Sequence, residues 1–306
     1  MGVLWHVYVF AFLLGCVTAF DAPARQAFVS DMVGDVDLSN AVALSSTSFN
    51  AARLIGPAVA GVLITAVGLG WVFLLNAASF GAVLWSLGLL EVGALRHAER
   101  PARKPGSLLE GFRYVWGRPD LIAVLAMLLV ICTLGFNFPI FLSTMSVTVF
   151  HGGAAQYGVL SSTMAIGSVT GALLSASRAR PGMKVLLTGA TLFGVGWAIA
   201  AFMPTAATFA LPLIIIGAAA QTFTTTANAT VQLSTEPAMR GRVLAIFLAI
   251  ALGGTPLGAP LVGWVADRFG ARWALGVAAA SGFLTAVIGL IALLRRPPEP
   301  VLVKNV

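Results

Sequence analysis

Apolar positions in this chain come in long unbroken blocks, not in the short alternations of a half-buried strand or the one-sided stripe of a soluble helix. Nine blocks stand out, at 3–20, 42–67, 69–91, 121–143, 155–176, 185–203, 208–230, 243–265 and 272–294. Each is close to the roughly 20 residues that an α-helix needs to cross a hydrocarbon core about 30 Å thick. The connections between them are mostly short and carry Gly, Pro or charge. Block length and the lack of strict alternation exclude the strands of a membrane barrel. The first block has no basic stretch before it and no small-residue cleavage site after it, where Asp21-Ala22-Pro23 follows, so it is read as a span and not as a cleaved leader. The expected fold class is an all-α membrane protein. One segment has a different period. Leu108, Leu109, Phe112, Val115 and Trp116 recur at i, i+1, i+4, i+7 and i+8, which predicts a short amphipathic helix lying at the membrane surface or serving as a soluble linker.

Composition reinforces this reading. Only 9% of the 306 residues are charged while 58% are hydrophobic, and mean hydropathy is +0.94. A soluble domain carries about 25% charged residues. The net charge of +7 does not point to nucleic acid, because the charges cluster in connections too short to build a basic recognition face. Cys16 and Cys132 sit inside apolar blocks, and His6, His97 and His151 are scattered, so neither a disulfide framework nor a metal site is expected.

The placement of Lys and Arg sets the orientation. Alternate connections, at 21–41, 92–120, 177–184, 231–242 and after 294, carry fifteen of these residues, against Arg268 and Arg272 in the other set, with Arg53 inside a span. The positive-inside bias puts the first set in the cytoplasm and the amino terminus outside.

Sliding the chain by 202 residues brings Gly56 onto Gly258, Gly61 onto Gly263, Gly68 onto Gly270, Trp71 onto Trp273 and Ser79 onto Ser281, and Ala43, Ala77 and Ala78 onto Ala245, Ala279 and Ala280. The offset covers six spans, so the copies run in the same direction, as in transporters built from parallel repeats. Six spans follow the charged connection and three precede it. The chain is therefore expected to hold nine spans of twelve: 1–91 as the rear half of an N-terminal six-helix bundle, 92–120 as a cytoplasmic connection with the amphipathic helix, and 121–306 as the C-terminal six-helix bundle.

Several pieces resemble the major facilitator superfamily, and within it the enterobactin exporter-like efflux branch of transmembrane secretion effectors. They are Asp21-Ala-Pro-Ala-Arg25-Gln, Asn40-Ala-Val-Ala-Leu44, Asn50-Ala-Ala-Arg53-Leu-Ile-Gly56-Pro57-Ala-Val-Ala-Gly61, Arg240-Gly241-Arg242-Val243 and Gly254-Thr-Pro256-Leu-Gly258 continuing to Gly263. Gly56-Pro57 with Gly61 is similar to the fifth-helix signature of superfamily antiporters, with Ala60 where that pattern has its first later Gly. The resemblance implies a secondary exporter of drug- or siderophore-like molecules, working by alternating access and coupled to protons. It also implies that Gly56 and Pro57 help seal one side of a cavity.

The residues themselves supply candidates. Ser46, Asn50 and Arg53 lie at i, i+4 and i+7, giving a polar face to an apolar helix, and a charge at that depth costs about 2.5–3.5 kcal/mol on insertion scales. That face is a candidate wall of the substrate path; Arg53 could instead snorkel to the surface or pair within the protein. Gln221, Thr225 and Asn228 belong to a polar run ending span 208–230, which is either a water-exposed lining or a set of hydroxyls bonded back to their own helix. Asn137 beside Pro139 predicts a helix break, lining a cavity or forming a plain kink. Gly56, Pro57, Gly61, Pro256, Gly258 and Gly263 are candidates for bends and close packing, as are Gly158, Gly167 and Gly171 for packing alone. Asp21, Arg25, Arg240 and Arg242 are expected to shape cytoplasmic turns, and Asp267-Arg268 to form a solvated pair.

No GxxxxGK[ST] loop, HExxH or GxSxG is present, so neither ATP hydrolysis within the chain nor a membrane-embedded enzyme is expected, and no catalytic residue, metal or cofactor is assigned. A channel would need a filter repeat or rings of charge. The expected partners are the lipid bilayer, a small-molecule substrate and protons, with no nucleic acid and a single copy as the working unit, in the bacterial inner membrane. The alternative is a non-transporting fragment of such an exporter.

Overall fold

The computed structural model describes residues 66–90, 107–176, 182–236 and 238–295 continuously, together with isolated positions between 5 and 64. The chain divides into two compact units, residues 1–52 with 73–102 and residues 53–72 with 103–306. Among the described residues every regular element is a helix and no strand occurs.

Helix α1, Leu69–Gly88, runs from the end of one unit's segment into the other and buries none of its residues. The second unit contains α2, Ser107–Trp116; α3, Pro119–Val130; α4, Phe138–Thr144; α5, Ala154–Ala176; α6, Met183–Ala201; α7, Ala206–Ser234; α8, Arg240–Phe269; and α9, Ala271–Leu294. A π-helical turn at Ile131–Gly135 extends α3, and a second at Met145–Val149 extends α4, so the two form one interrupted span from Pro119 to Val149.

Seven described helices are long and apolar enough to cross a membrane, matching seven of the nine blocks. The blocks at 3–20 and 42–67 lie largely outside the described residues. Two helices run well past their blocks. The block at 121–143 becomes a 31-residue span, and 243–265 becomes a 30-residue helix. The first gains most at its far end, where the π turn Met145–Val149 continues it, and it starts at Pro119, where the missing N–H has no helical partner to lose. The second gains polar residues at both ends, Arg240 and Arg242 at its start and Asp267 and Arg268 at its finish.

The core of the second unit is built from apolar and small residues. Trp197, Phe141, Phe193, Phe209 and Phe223 are fully buried, with Met127, Leu128, Ile131 and Met145 around them. Small residues set the helix spacing. A Cβ on Gly167 would lie 2.0 Å from the Ile214 carbonyl oxygen, and one on Gly171 2.4 Å from that of Ala218. From the other side, a Cβ on Gly217 would lie 2.1 Å from the Met164 oxygen. Backbones of α5 and α7 therefore touch, the association expected where lipid offers no hydrophobic drive. Gly158 is buried on the same helix.

The 202-residue offset is visible in local geometry. Gly68 and Gly270 both have positive φ, 85° and 99°. Gly68 N–H donates to Ile64 O and Gly270 N–H to Ala266 O, each at 3.0 Å, while Val72 N–H donates to Gly68 O and Ala274 N–H to Gly270 O, each at 3.4 Å. Ser79 Oγ donates to Asn76 O at 2.6 Å and Ser281 Oγ to Ala278 O at 2.7 Å. Trp71 and Trp273 are both exposed. Every one of these pairs is 202 residues apart.

Candidate functional site

Helix α7 carries the densest polar patch within any described span. It is apolar through Phe209, Leu213 and Ile216, and a Thr205–Thr208 capping box satisfies its first turn. Its buried side continues through Thr222, Phe223, Thr226, Ala227, Thr230 and Val231. Gln221, Thr225, Asn228 and Gln232 are each half-buried, at i, i+4, i+7 and i+11, and so share one face. Two side-chain bonds tie the face together: Gln221 Nε2 donates to Thr225 Oγ1 at 3.2 Å, and Gln232 Nε2 donates to Asn228 Oδ1 at 2.9 Å. The stripe is about 16 Å long at 1.5 Å per residue, half the thickness of a bilayer core. It holds no formal charge. Its amides leave donors and acceptors directed away from the packed side of α7.

The hydroxyls beside it divide between the two expected behaviours. Thr224 Oγ1 donates back to Ala220 O at 2.8 Å, the intrahelical bond of a threonine within a helix. Thr222 Oγ1 donates to Gly171 O on α5 at 3.3 Å, linking two helices where glycine brings them close. Thr225 takes part in the stripe.

Arg118, just before α3, and Arg240 on α8 secure the C-terminal end of α7. Arg240 Nε donates to Gln232 O at 3.2 Å, and Arg118 Nη2 donates to Ser234 O at 2.9 Å. These are terminal carbonyls with no helical donor, and cations are favourable at that end of the dipole. Arg118 also holds Asp120 through both carboxylate oxygens, at 3.0 and 2.9 Å. That bond to Asp120 leads the effects that hold the Arg118 guanidinium above its ordinary pKa. Arg242 pairs with Glu110 of α2 at 2.7 Å. The expected turn residues Arg240 and Arg242 are thus both at this end.

The expected break at Asn137 is a two-residue interruption, Phe136-Asn137. Pro139 opens α4 and has no N–H to return to the preceding turn. Phe136 N–H closes the π turn onto Ile131 O at 3.0 Å, and Asn137 Nδ2 donates to Thr133 O at 2.8 Å. Asn137 is 1% exposed, and its Oδ1 and the nearby Thr133 Oγ1 are buried without a partner. Helix α8 passes directly over the break. A Cβ on Gly258 would lie 1.5 Å from Thr133 O and 3.2 Å from Asn137 Nδ2. Asn137 is therefore packed against α8 and does not join the stripe on α7. Gly263, paired with Gly258 as a packing candidate, has no neighbour within 4 Å of a would-be Cβ, and neither has Gly56. Helix α8 continues through Pro256 and Pro260 without a break. Asp267 and Arg268 are exposed at its C-terminal end.

Ser46, Asn50, Arg53, Pro57, Gly61, Asp21 and Arg25 lie outside the described residues. Gln232 was missed by sequence reasoning, although its i+4 spacing from Asn228 marks it.

The family described as transmembrane secretion effector matches residues 1–300. The chain belongs to that family, within the major facilitator superfamily. As a secretion effector it is similar to proteins named enterobactin exporter EntS. It is 28% identical over 308 residues to that of Citrobacter koseri, covering 96% of this chain and 72% of the relative. To that of Shigella flexneri it is 29% identical over 296 residues, covering 95% and 68%. Its fold resembles the crystal structure of a bacterial homolog to the human lysosomal transporter Spinster in an inward-facing, unoccupied conformation. That match has a TM-score of 0.54 at 17% identity, and covers 88% of this chain and 72% of that one. The secretion effector is thus an all-helical, multi-pass transporter of the bacterial inner membrane.

Proposed function

We propose that this chain exports a siderophore- or drug-like small molecule by alternating access, and that the stripe Gln221–Thr225–Asn228–Gln232 lines its path. The observation that carries the reading is the stripe itself. Four uncharged polar side chains share one face of a membrane-spanning helix whose opposite face is packed. Amides and hydroxyls that face neither lipid nor core need water or substrate. An uncharged lining recognises hydroxyl- and carbonyl-rich compounds through hydrogen bonds and lets them leave again, because it does not hold them by charge. Relatives named as enterobactin exporters support enterobactin as the first substrate to try.

In the same proposal, 1–91 forms the rear half of an N-terminal bundle, 92–120 the cytoplasmic connection and 121–306 the C-terminal bundle. One copy works alone, and Ser46, Asn50 and Arg53 belong to a polar helix face that is also part of the substrate path. Gly56 and Pro57 bend their helix and help seal one side of the cavity. Export is coupled to protons. The described spans hold no Asp or Glu between their ends, so the proton carrier is outside them.

The test is export from a bacterium deprived of its own siderophore exporter. Cells expressing the chain are expected to accumulate enterobactin in the medium. Asn228→Leu with Gln221→Leu should cut the rate about tenfold, equivalent to about 1.4 kcal/mol, at unchanged membrane abundance. Export at the parental rate by that variant would remove the stripe from the path. Membrane-inserted protein that moves no member of a siderophore and drug panel would overturn the function.

A further inference from the structure

We propose that α2 seats an exposed apolar face in the anionic leaflet at the cytoplasmic surface, and so ties that leaflet to the inner end of α7. Helix α2 has two faces that do different things. Gly111, Tyr114 and Val115 turn toward α8 and the turn that precedes it. A Cβ on Gly111 would lie 3.1 Å from Arg242 Cβ, and Val115 is 8% exposed. Tyr114 Oη accepts from Glu236 N–H at 3.3 Å and from Arg118 Nη1 at 3.1 Å, and Glu110 pairs with Arg242. These contacts fix the rotation of the helix about its axis.

With that rotation fixed, Leu109, Phe112 and Trp116 at i, i+3 and i+7 share the other face, and they are 69%, 54% and 83% exposed. Three large apolar side chains on one short helix are costly in water. Lipid is the occupant for two reasons. First, only Gly117 and Arg118 separate α2 from Pro119, where the membrane span begins, which holds α2 at the height of the headgroups. A tryptophan at that height sits where its amphipathic ring is favoured. Second, the adjoining charge is positive. Exposed Arg113 borders the apolar face one turn from Leu109, and Arg96, Arg100, Arg103 and Lys104 fall in the nine residues 96–104 just before the helix, with Glu99 the one acid among them. A basic segment beside an inserted apolar face is the pattern that anionic lipid surfaces attract.

The coupling follows from the other face. Tyr114, Glu110 and Arg118 grip the α7–α8 turn and the Ser234 carbonyl, so a shift of α2 in the leaflet pulls on the helix that carries the polar stripe.

The experiment uses the full chain in nanodiscs, with spin labels at Phe112→Cys and Trp116→Cys, both in a Cys16→Ser background, and a control label at Glu236→Cys on the exposed turn. Collision with oxygen reports lipid, and collision with a water-soluble nickel chelate reports water. The oxygen-to-nickel ratio at both α2 positions is expected to exceed that at 236 by about fivefold or more in discs containing phosphatidylglycerol. It should fall in phosphatidylcholine alone, and the fall should vanish in the R103Q/K104Q/R113Q variant. Nickel access at 112 and 116 equal to that at 236 puts the face in water and overturns the proposal. Low access to both reagents means protein covers it and also overturns it. A ratio indifferent to lipid charge removes the anionic leaflet as the partner. Substrate export enters none of these readouts, so they stand apart from the fate of the transport reading.

Discussion

Helices α1 and α9 start at the same point of the 202-residue offset and leave the same turn, yet one buries nothing and the other buries nine residues. Gly68 and Gly270 share positive φ and the same pair of backbone hydrogen bonds, and Ser79 and Ser281 donate to the same relative carbonyl. The side chains record the divergence. Where α9 has Gly282, whose would-be Cβ lies 2.6 Å from Gly194 Cα on α6, α1 has Phe80, 60% exposed. Where α9 has Gly289 against Met127, α1 has Leu87, also exposed. Turn geometry belongs to the local sequence and survives in both copies. Burial belongs to the neighbours, and α9 carries glycine where the α6 backbone and Met127 stand.

The comparison breaks most sharply at Gly282. Gly282→Phe puts a ring where the α6 backbone stands, and the protein is expected to lose its folded, monodisperse form in detergent. Phe80→Ala on α1 should change the melting temperature little, since surface changes stay within about 0.5 kcal/mol. A tolerated Gly282→Phe would show that α6 and α9 do not touch there.

The next effect is at Gly258 and its counterpart Gly56. Gly258→Ala is expected to cost about 1–3 kcal/mol by overpacking against Thr133, read as a lower midpoint in denaturant titration. Gly56→Ala and Gly263→Ala have open space in front of them and should be near neutral. Equal costs at 56 and 258 would mean that packing is the same in both copies.

Smaller and deliberately matched are Gly68→Ala and Gly270→Ala. Both place a Cβ in left-handed backbone, at about 1–2 kcal/mol each, and the two losses should agree because the strain is local. Smallest is the serine pair. Ser281→Ala, at a buried site, is expected to cost about 1 kcal/mol, and Ser79→Ala, at an exposed one, less than half of that.

Much of the fold was legible because membrane helices announce themselves by length and apolarity, and seven blocks became seven helices. Their ends were not, since Arg118 and Arg240, at two of the helix starts, are charged residues tied to the last carbonyls of α7 by contacts that hydropathy does not score. The break at Phe136-Asn137 was legible from Pro139, but its surroundings were not. Only the structure places Gly258 over Thr133 and buries Asn137 there, away from the α7 stripe. Of the polar run on α7, sequence could not tell Thr224, bonded to its own helix, from Thr225, bonded to Gln221, because the choice depends on which face α5 and α6 cover. The orientation of α2 was likewise hidden until Gly111 and Tyr114 showed which side docks.

The account rests on the stripe of α7 facing an aqueous path. Single cysteines at 221, 222, 223, 225, 226, 228 and 232, placed in a background with Cys16 and Cys132 replaced by serine, measure this through their rate of labelling by a membrane-impermeant maleimide in cells. Fast labelling at 221, 225, 228 and 232, slowed by an added export substrate, with slow labelling at 222, 223 and 226, is the predicted result. Labelling without that periodicity, or equally slow at all seven positions, would contradict a substrate path along α7.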